Sequence, residues 1–483
     1  MQRLIALGMA AAPALGVLLI PALIHQGSGA VAVRNGSGPK YVFLLMADGG
    51  GIPQMEITRM FNRVVNNEGF TITDKIIKEG SVGLVTTHPA DLLSTDSAAA
   101  ATALAGGCKA KNGALGICAD GSLSRTVAEI ARQKNMRVGL VTTAQIYDAS
   151  PAAFIAHVPS RRSYSAILDA YLAFAPDLLL GGGRDRFLPR SQPGGARDDE
   201  TDLISSFKQK GYLQVSTRQD LGHASRGKVL GLFTVSDMSL ELDRDRKTEP
   251  SLSEMTDAAI RILTTENTHG FFVFIEDENT DTAGHLSDIA SVIHDYREFD
   301  RAVAVAYQFY RKHPRETLIV VTSDHDTGGF GFTQALKDLS SSRGANQIAG
   351  TPEDLKKIGS IPISLRKASE ILGPNPTGAA VDKLMSDYFP GFTLAPEFRE
   401  AILRHQPISR TLFADPTANA LGMMIANNTQ GYWLTSGHTN QPVVIAALGP
   451  GSENFRGYMD NTDVGRSLKA ILDDVNYSSK VLH

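Results

Sequence analysis

The chain has 483 residues, 42% hydrophobic and 20% charged, a balance that suits a globular protein with a large core and excludes a disordered or fibrous one. Its 47 basic and 51 acidic residues leave a net charge of −4, so no basic field exists to hold a nucleic-acid backbone. Nucleic acid is thereby excluded as a specific partner, and composition leaves the remaining classes open.

In chain order, Arg3 precedes an apolar run from Leu4 to Ile24, and Ala30-Val31-Ala32 offers small residues for a cut. That layout predicts a cleaved secretory signal over 1–32 and an exported, periplasmic or secreted protein. An uncleaved membrane anchor is the other reading of the same run. The mature chain, 33–483, has no later segment apolar enough to span.

Apolar β-rich runs at 41–47, 137–143, 228–235, 270–275, 317–322 and 442–448 predict short buried strands. Helical patterns fall between them at 54–65, 97–105, 123–133, 164–175, 252–264 and 289–311, with Ser251 and Glu254 forming a capping box. The alternation predicts an α/β fold: a doubly wound, mainly parallel central sheet with helices on both faces. Gly181-Gly182-Gly183 ends a strand and lacks the spacing of a dinucleotide loop. The segment 329–433 is mostly polar and breaks the rhythm, which predicts an insertion that caps the site or contacts a second subunit. The two cysteines, Cys108 and Cys118, flank a Gly-rich turn and should pair in an oxidising compartment.

Ligands of open parallel sheets gather at the carboxyl ends of the strands. Here those ends carry acids and imidazoles repeatedly: Asp48 after 41–47, Asp148 after 137–143, Glu276 after 270–275, Asp324 and His325 after 317–322, and His438 just before 442–448. A single such acid is usually a cap or a solvated loop residue. Four acids and two histidines on one edge would repel unless cations sat among them, so a metal site is expected. Asp281 and His285, spaced i, i+4, share a face if their segment is helical. Ser97 opens an Ala-rich helix, where a helix cap and an anion-binding nucleophile are both open readings.

These residues form a set that resembles the alkaline phosphatase family. The stretch Asp96-Ser97-Ala98-Ala99-Ala100-Ala101-Thr102-Ala103 is similar to its nucleophile motif, and Ala47-Asp48-Gly49-Gly50-Gly51 to its first metal-binding turn. Further likeness runs through Asp148-Ala149-Ser150, His157 to Arg161, Glu276, Asp281, His285, Asp324-His325 and Gly437-His438-Thr439, in the family's order. The resemblance implies hydrolysis of phosphate monoesters through a phosphoserine on Ser97, with Arg161 clamping the phosphate. It also implies two zinc ions, one on Asp281, His285 and His438 and one on Asp48, Asp324 and His325. A magnesium would share Asp48 and take Ser150 and Glu276, with Asp148 holding its waters, and the enzyme would be a homodimer. The sequence departs from the family just after Glu276, where glycine is common and Asp277 and Glu278 follow instead, and at Thr282, where some members carry lysine or histidine. His88, His157 and His294 match no ligand position and are read as structural. The competing functions are a phosphodiesterase or sulfatase of the same superfamily, and a non-catalytic exported protein that binds phosphate or metal.

Overall fold

The computed structural model describes residues 38–337 and 347–473, so the signal expected over 1–32 lies outside the described residues. Among the described residues, no helix is long and apolar enough to cross a membrane. The centre is a ten-stranded sheet. Eight of its strands are β1 (Tyr41–Ala47), β2 (Ser81–Thr86), β3 (Arg137–Gln145), β4 (Leu178–Gly182), β5 (Tyr212–Val215), β6 (Lys228–Leu232), β7 (Phe271–Asp277) and β8 (Thr317–Thr322). Val443–Leu448 and Gly457–Asp460 complete it. The spatial order is Gly457–Asp460, β2, Val443–Leu448, β8, β1, β7, β3, β4, β6, β5. Neighbours are parallel, except that Val443–Leu448 runs antiparallel to both β2 and β8.

All seven residues of β1 are buried, because successive side chains enter two different cores. Val42, Leu44 and Met46 join a cluster with Ala101 and Leu104 of helix Ser97–Gly106, Ile130 of Val127–Gln133, Leu168 of Tyr164–Phe174 and Leu468 of Asn461–Asp473. Tyr41, Phe43 and Leu45 join the opposite cluster with Met255 and Ile262 of helix Leu252–Thr264 and Phe299 and Val303 of Ile289–Lys312. Each such side chain withdrawn from water stabilises the sheet by about 1.5–3 kcal/mol. The fold is therefore the α/β sheet, helix-covered on both faces, that the alternation predicts.

Local chemistry moves several boundaries. The helix expected over 123–133 begins only at Val127, because Thr126 and Glu129 form a capping box there. The strand expected over 228–235 stops at Leu232; beyond it the carbonyls of Thr234 and Ser236 accept from Arg184 and Gly183. The segment 329–433 is not merely polar. It carries helices Pro352–Gly359, Leu365–Leu372, Gly378–Tyr388, Pro396–Arg404 and Pro416–Thr429. Their apolar sides, among them Ile358, Leu384, Phe398 and Leu421, pack with Trp433, with Ile57 and Phe61 of helix Ile52–Phe61, and with Val292.

The parallel register fixes where the site lies. Met46 of β1 stands opposite both Glu276 of β7 and Thr322 of β8, and Thr142 of β3 stands opposite Glu276. The residues that end these four strands therefore share one edge.

Candidate active site

Asp48 leaves β1 through a turn that only glycine can make. Gly49 has φ +66°, and a Cβ there would lie 2.7 Å from Asp281 and 2.8 Å from the Thr327 hydroxyl. The bare backbone lets the Gly49 N–H donate to Asp324 Oδ1 at 3.2 Å. His325, fully buried, brings its Nε2 within 3.0 Å of Asp324 Oδ2 and 3.5 Å of Asp48 Oδ1. Asp48, Asp324 and His325 thus form one group of converging ligand atoms.

Asp281, His285 and His438 form a second. Asp281 and His285 lie on helix Asn279–His285 with the i, i+4 spacing read from the sequence, and their side chains approach to 3.0 Å. The ribbon pairing His438–Thr439 with Asp326–Thr327 carries His438 to them. His285 Nδ1 and His438 Nδ1 face the carbonyl oxygens of Ser436 and Thr95 at 2.6 and 2.7 Å. A carbonyl can only accept, so each Nδ1 carries hydrogen and each Nε2 turns its lone pair inward. Those two Nε2 atoms stand 3.2 Å apart, with Asp281 Oδ1 3.7 Å from that of His438. Two lone pairs and a carboxylate can converge only around a proton or a metal cation.

Electrostatics supports a cation. Burial depresses His285, but Asp281 more than offsets it and raises the imidazole to about 9, so a proton fills the gap in the metal-free chain. Burial, then His325, holds His438 down at about 4, in the neutral form that ligates metal. Burial and the neighbouring Asp324, Asp281 and Glu276 push Asp48 well above the carboxylate range. Burial likewise raises Glu276 to about 8. Asp48 Oδ1 and Glu276 Oε1 are buried with no hydrogen-bond partner, as atoms awaiting an ion would be. The donor sets therefore fit divalent metals.

Ser97 lies beside the group formed by Asp48, Asp324 and His325. The helix cap is Asp96, whose carboxylate accepts from the Ala99 N–H at 3.0 Å and the Gly113 N–H at 2.8 Å. Ser97 is left as the first helical residue, its hydroxyl 3.4 Å from His325 Nε2. The two readings of this turn separate onto adjacent residues. Ser150 Oγ donates to Asp48 Oδ2 at 3.3 Å, and Glu276 Oε2 accepts from the Thr142 hydroxyl. Arg161 Nη2 donates to both oxygens of Asp148 at 3.1 Å, and its Nη1 lies 3.6 Å from Asp96. Asp148 makes no cap bond to its own helix, so its carboxylate serves Arg161 directly.

The family model for alkaline phosphatase matches residues 39–473. This chain belongs to the alkaline phosphatase family. It is 33% identical to alkaline phosphatase 3 of Bacillus subtilis over 451 residues, covering 91% of each chain. It is 30% identical to the repressible alkaline phosphatase of Saccharomyces cerevisiae, covering 95% of this chain and 86% of that one. Its fold superposes on the Thermus thermophilus alkaline phosphatase with a TM-score of 0.81 at 26% identity, covering 95% and 96% of the two chains. As a family member it is a phosphomonoesterase, and the reading as a non-catalytic binding protein is set aside. The family is metal-dependent, and the two Asp/His groups are where this chain could hold ions.

Asp48, Asp324 and His325 converge, as do Asp281, His285 and His438, with Ser97, Ser150 and Glu276 one contact away, and Cys108 and Cys118 are disulfide-bonded with Cα atoms 5.6 Å apart. Asp277 points off the site: its carboxylate accepts from Thr280 at 2.6 Å and Thr143 at 3.5 Å. Glu278 turns instead toward Thr282. Of the histidines read as structural, His157 bridges the Gly116 carbonyl and Glu129. Sequence reasoning missed Thr327, whose hydroxyl bonds Asp281 and lies 3.2 Å from His325 Nδ1. It also missed the Ser436 and Thr95 carbonyls, which carry no residue-type signal.

Proposed function

We propose that this phosphomonoesterase works through a phosphoserine on Ser97, at a site built for two zinc ions and one magnesium. Asp281, His285 and His438 would hold one zinc, and Asp48, Asp324 and His325 the other, since mixed imidazole and carboxylate sets suit zinc. Asp48, Ser150 and Glu276 offer oxygen only and would hold magnesium, with Asp148 at its edge. When bound, the ions supply Lewis-acid charge that favours the Ser97 alkoxide and offsets charge on the attacking and leaving oxygens. The observation that carries the reading is Ser97 itself, released from capping by Asp96 and set at a helix N-terminus beside His325.

The chain's own residues then have distinct tasks. Arg161, steadied through Nη2 by Asp148, offers the rest of its fork to two phosphate oxygens. The positive end of helix Ser97–Gly106 favours the same dianion. Ser97 Oγ attacks phosphorus and the bond to the ester oxygen breaks, that oxygen leaving with the electron pair. Water hydrolyses the phosphoserine and restores the Ser97 hydroxyl.

The test compares a phosphate monoester, a diester and a sulfate ester before and after chelation. Preferential monoester turnover, lost with chelator and restored by zinc plus magnesium, is the expected result. A diester preference, or restoration by calcium or iron alone, contradicts it. Export with removal of 1–32, and a homodimer, belong to the same reading. N-terminal sequencing of secreted protein and sedimentation of the mature chain check them: an intact leader or a monomer would refute each.

A further inference from the structure

The segment 94–97 leads into the helix that Ser97 begins and touches a second residue of the site on its way. The Ser94 hydroxyl donates to the His438 carbonyl at 3.0 Å, and the Thr95 carbonyl accepts from His438 Nδ1 at 2.7 Å. Asn112, on an exposed turn, bridges the same segment across Thr95. Its Oδ1 accepts from the Asp96 N–H at 3.0 Å, and its Nδ2 donates to the Ser94 carbonyl at 3.2 Å. A main-chain N–H only donates and a carbonyl only accepts, so the two bonds fix which way the carboxamide faces.

The Thr95 carbonyl and the Asp96 N–H belong to one peptide group. That group is planar and its two polar ends point in opposite directions. Asn112 therefore holds one end of a rigid plate whose other end holds His438, and Ser97 is the residue that follows the plate. Gly113 adds main-chain ties from the same turn. With φ +85°, it donates its N–H to Asp96 Oδ2 at 2.8 Å and accepts the Arg161 N–H on its carbonyl at 2.7 Å. The turn lies inside the loop that the Cys108–Cys118 disulfide closes, so its reach toward the segment is constrained.

We propose that Asn112 is a positioning residue for the Ser97 nucleophile, its carboxamide holding the Thr95–Asp96 peptide so that the Ser97 hydroxyl enters the site aligned for attack. The role rests on the reading of Ser97 given above. Asn112→Ala removes both side-chain bonds and leaves the main-chain bonds of Gly113 to Asp96 and Arg161. Phosphate binding, which uses Arg161, is then retained, while attack on phosphorus, which needs Ser97 in line, is slowed. A loss confined to the reacting geometry lowers the rate of the chemical step and spares ground-state affinity.

The experiment uses the zinc- and magnesium-loaded enzyme in saturating excess over a phosphate monoester, following release of the leaving alcohol in a single turnover. Calorimetric titration of inorganic phosphate runs beside it. A misfolded fraction leaves the saturating rate constant unchanged, whereas misalignment of Ser97 lowers it. Asn112→Ala is expected to lower that rate constant on the order of tenfold, with phosphate affinity within about twofold of the parent. Lys111→Ala, an exposed neighbour on the same turn, should match the parent in both measurements. An unchanged rate constant in Asn112→Ala overturns the proposal. So does a loss of phosphate affinity as large as the loss of rate, or an equal loss in Lys111→Ala. The nucleophile assignment fails separately, by turnover surviving in Ser97→Ala.

Discussion

Asp96 joins three parts of the site: it caps the helix that Ser97 begins, holds the Gly113 N–H, and stands 3.6 Å from Arg161. Asp96→Ala should therefore cost about 1 kcal/mol of stability through the lost cap. It should also lower kcat/KM by more than the cap alone explains, whereas Asp96→Asn keeps the cap and most of the stability. Urea melts and steady-state kinetics on the two variants check this. His294 gives a prediction away from the chemistry. Burial, then Arg297, holds its imidazole down at about 4, so the fold keeps it neutral. The unfolded chain takes up that proton first as pH falls, so stability present above about 6.5 is lost toward about 4, by ~3 kcal/mol at most. His294→Phe should flatten that part of the pH–stability curve, and an unchanged slope would refute it. Residue types at strand ends made the ligand set legible in the sequence. The pleat keeps Glu276 and Asp277 apart, because alternation sends their side chains to opposite faces.

Strands end where their side chains change from apolar to ionisable, and that transition places carboxylates against one another at the ends of β1, β7 and β8. The metal-free protein accommodates them by holding protons. Glu276, raised by burial from 4.5 to about 8, keeps a proton in the fold that the unfolded chain has already released. Stability of the metal-free protein should therefore fall as pH rises between about 4.5 and about 8. On the proposed reading zinc and magnesium would replace those protons, so the loaded protein should hold its stability over the same window. Denaturant melts of chelated and reconstituted protein compare the two, and Glu276→Gln should blunt the fall in the chelated form. Long strands buried on both faces were readable from their continuous apolar runs. The four-residue strands Tyr212–Val215 and Gly457–Asp460 were not, because a short edge strand buries too little to leave a pattern. Helices Pro352–Gly359, Leu365–Leu372 and Pro396–Arg404 of 329–433 were hidden likewise, since each is short and turns only a narrow apolar side inward.

Across the whole molecule, residues from Asp48 to His438 converge because parallel register brings four strand ends level and one ribbon returns the chain to them. The insertion is packed into the same body through Ile57, Phe61 and Trp433, and its helix Leu365–Leu372 is tied to Asp288 through the Leu365 N–H. Family membership and fold establish a phosphomonoesterase, and the account of its chemistry turns on one covalent step. Rapid acid quenching of the metal-loaded enzyme during turnover of a phosphate monoester, followed by peptide mass spectrometry, tests that step directly. Phosphate on Ser97, absent from Ser97→Ala together with turnover, is the expected result. Phosphate on no residue at any quench time, or turnover surviving in Ser97→Ala, would contradict the account.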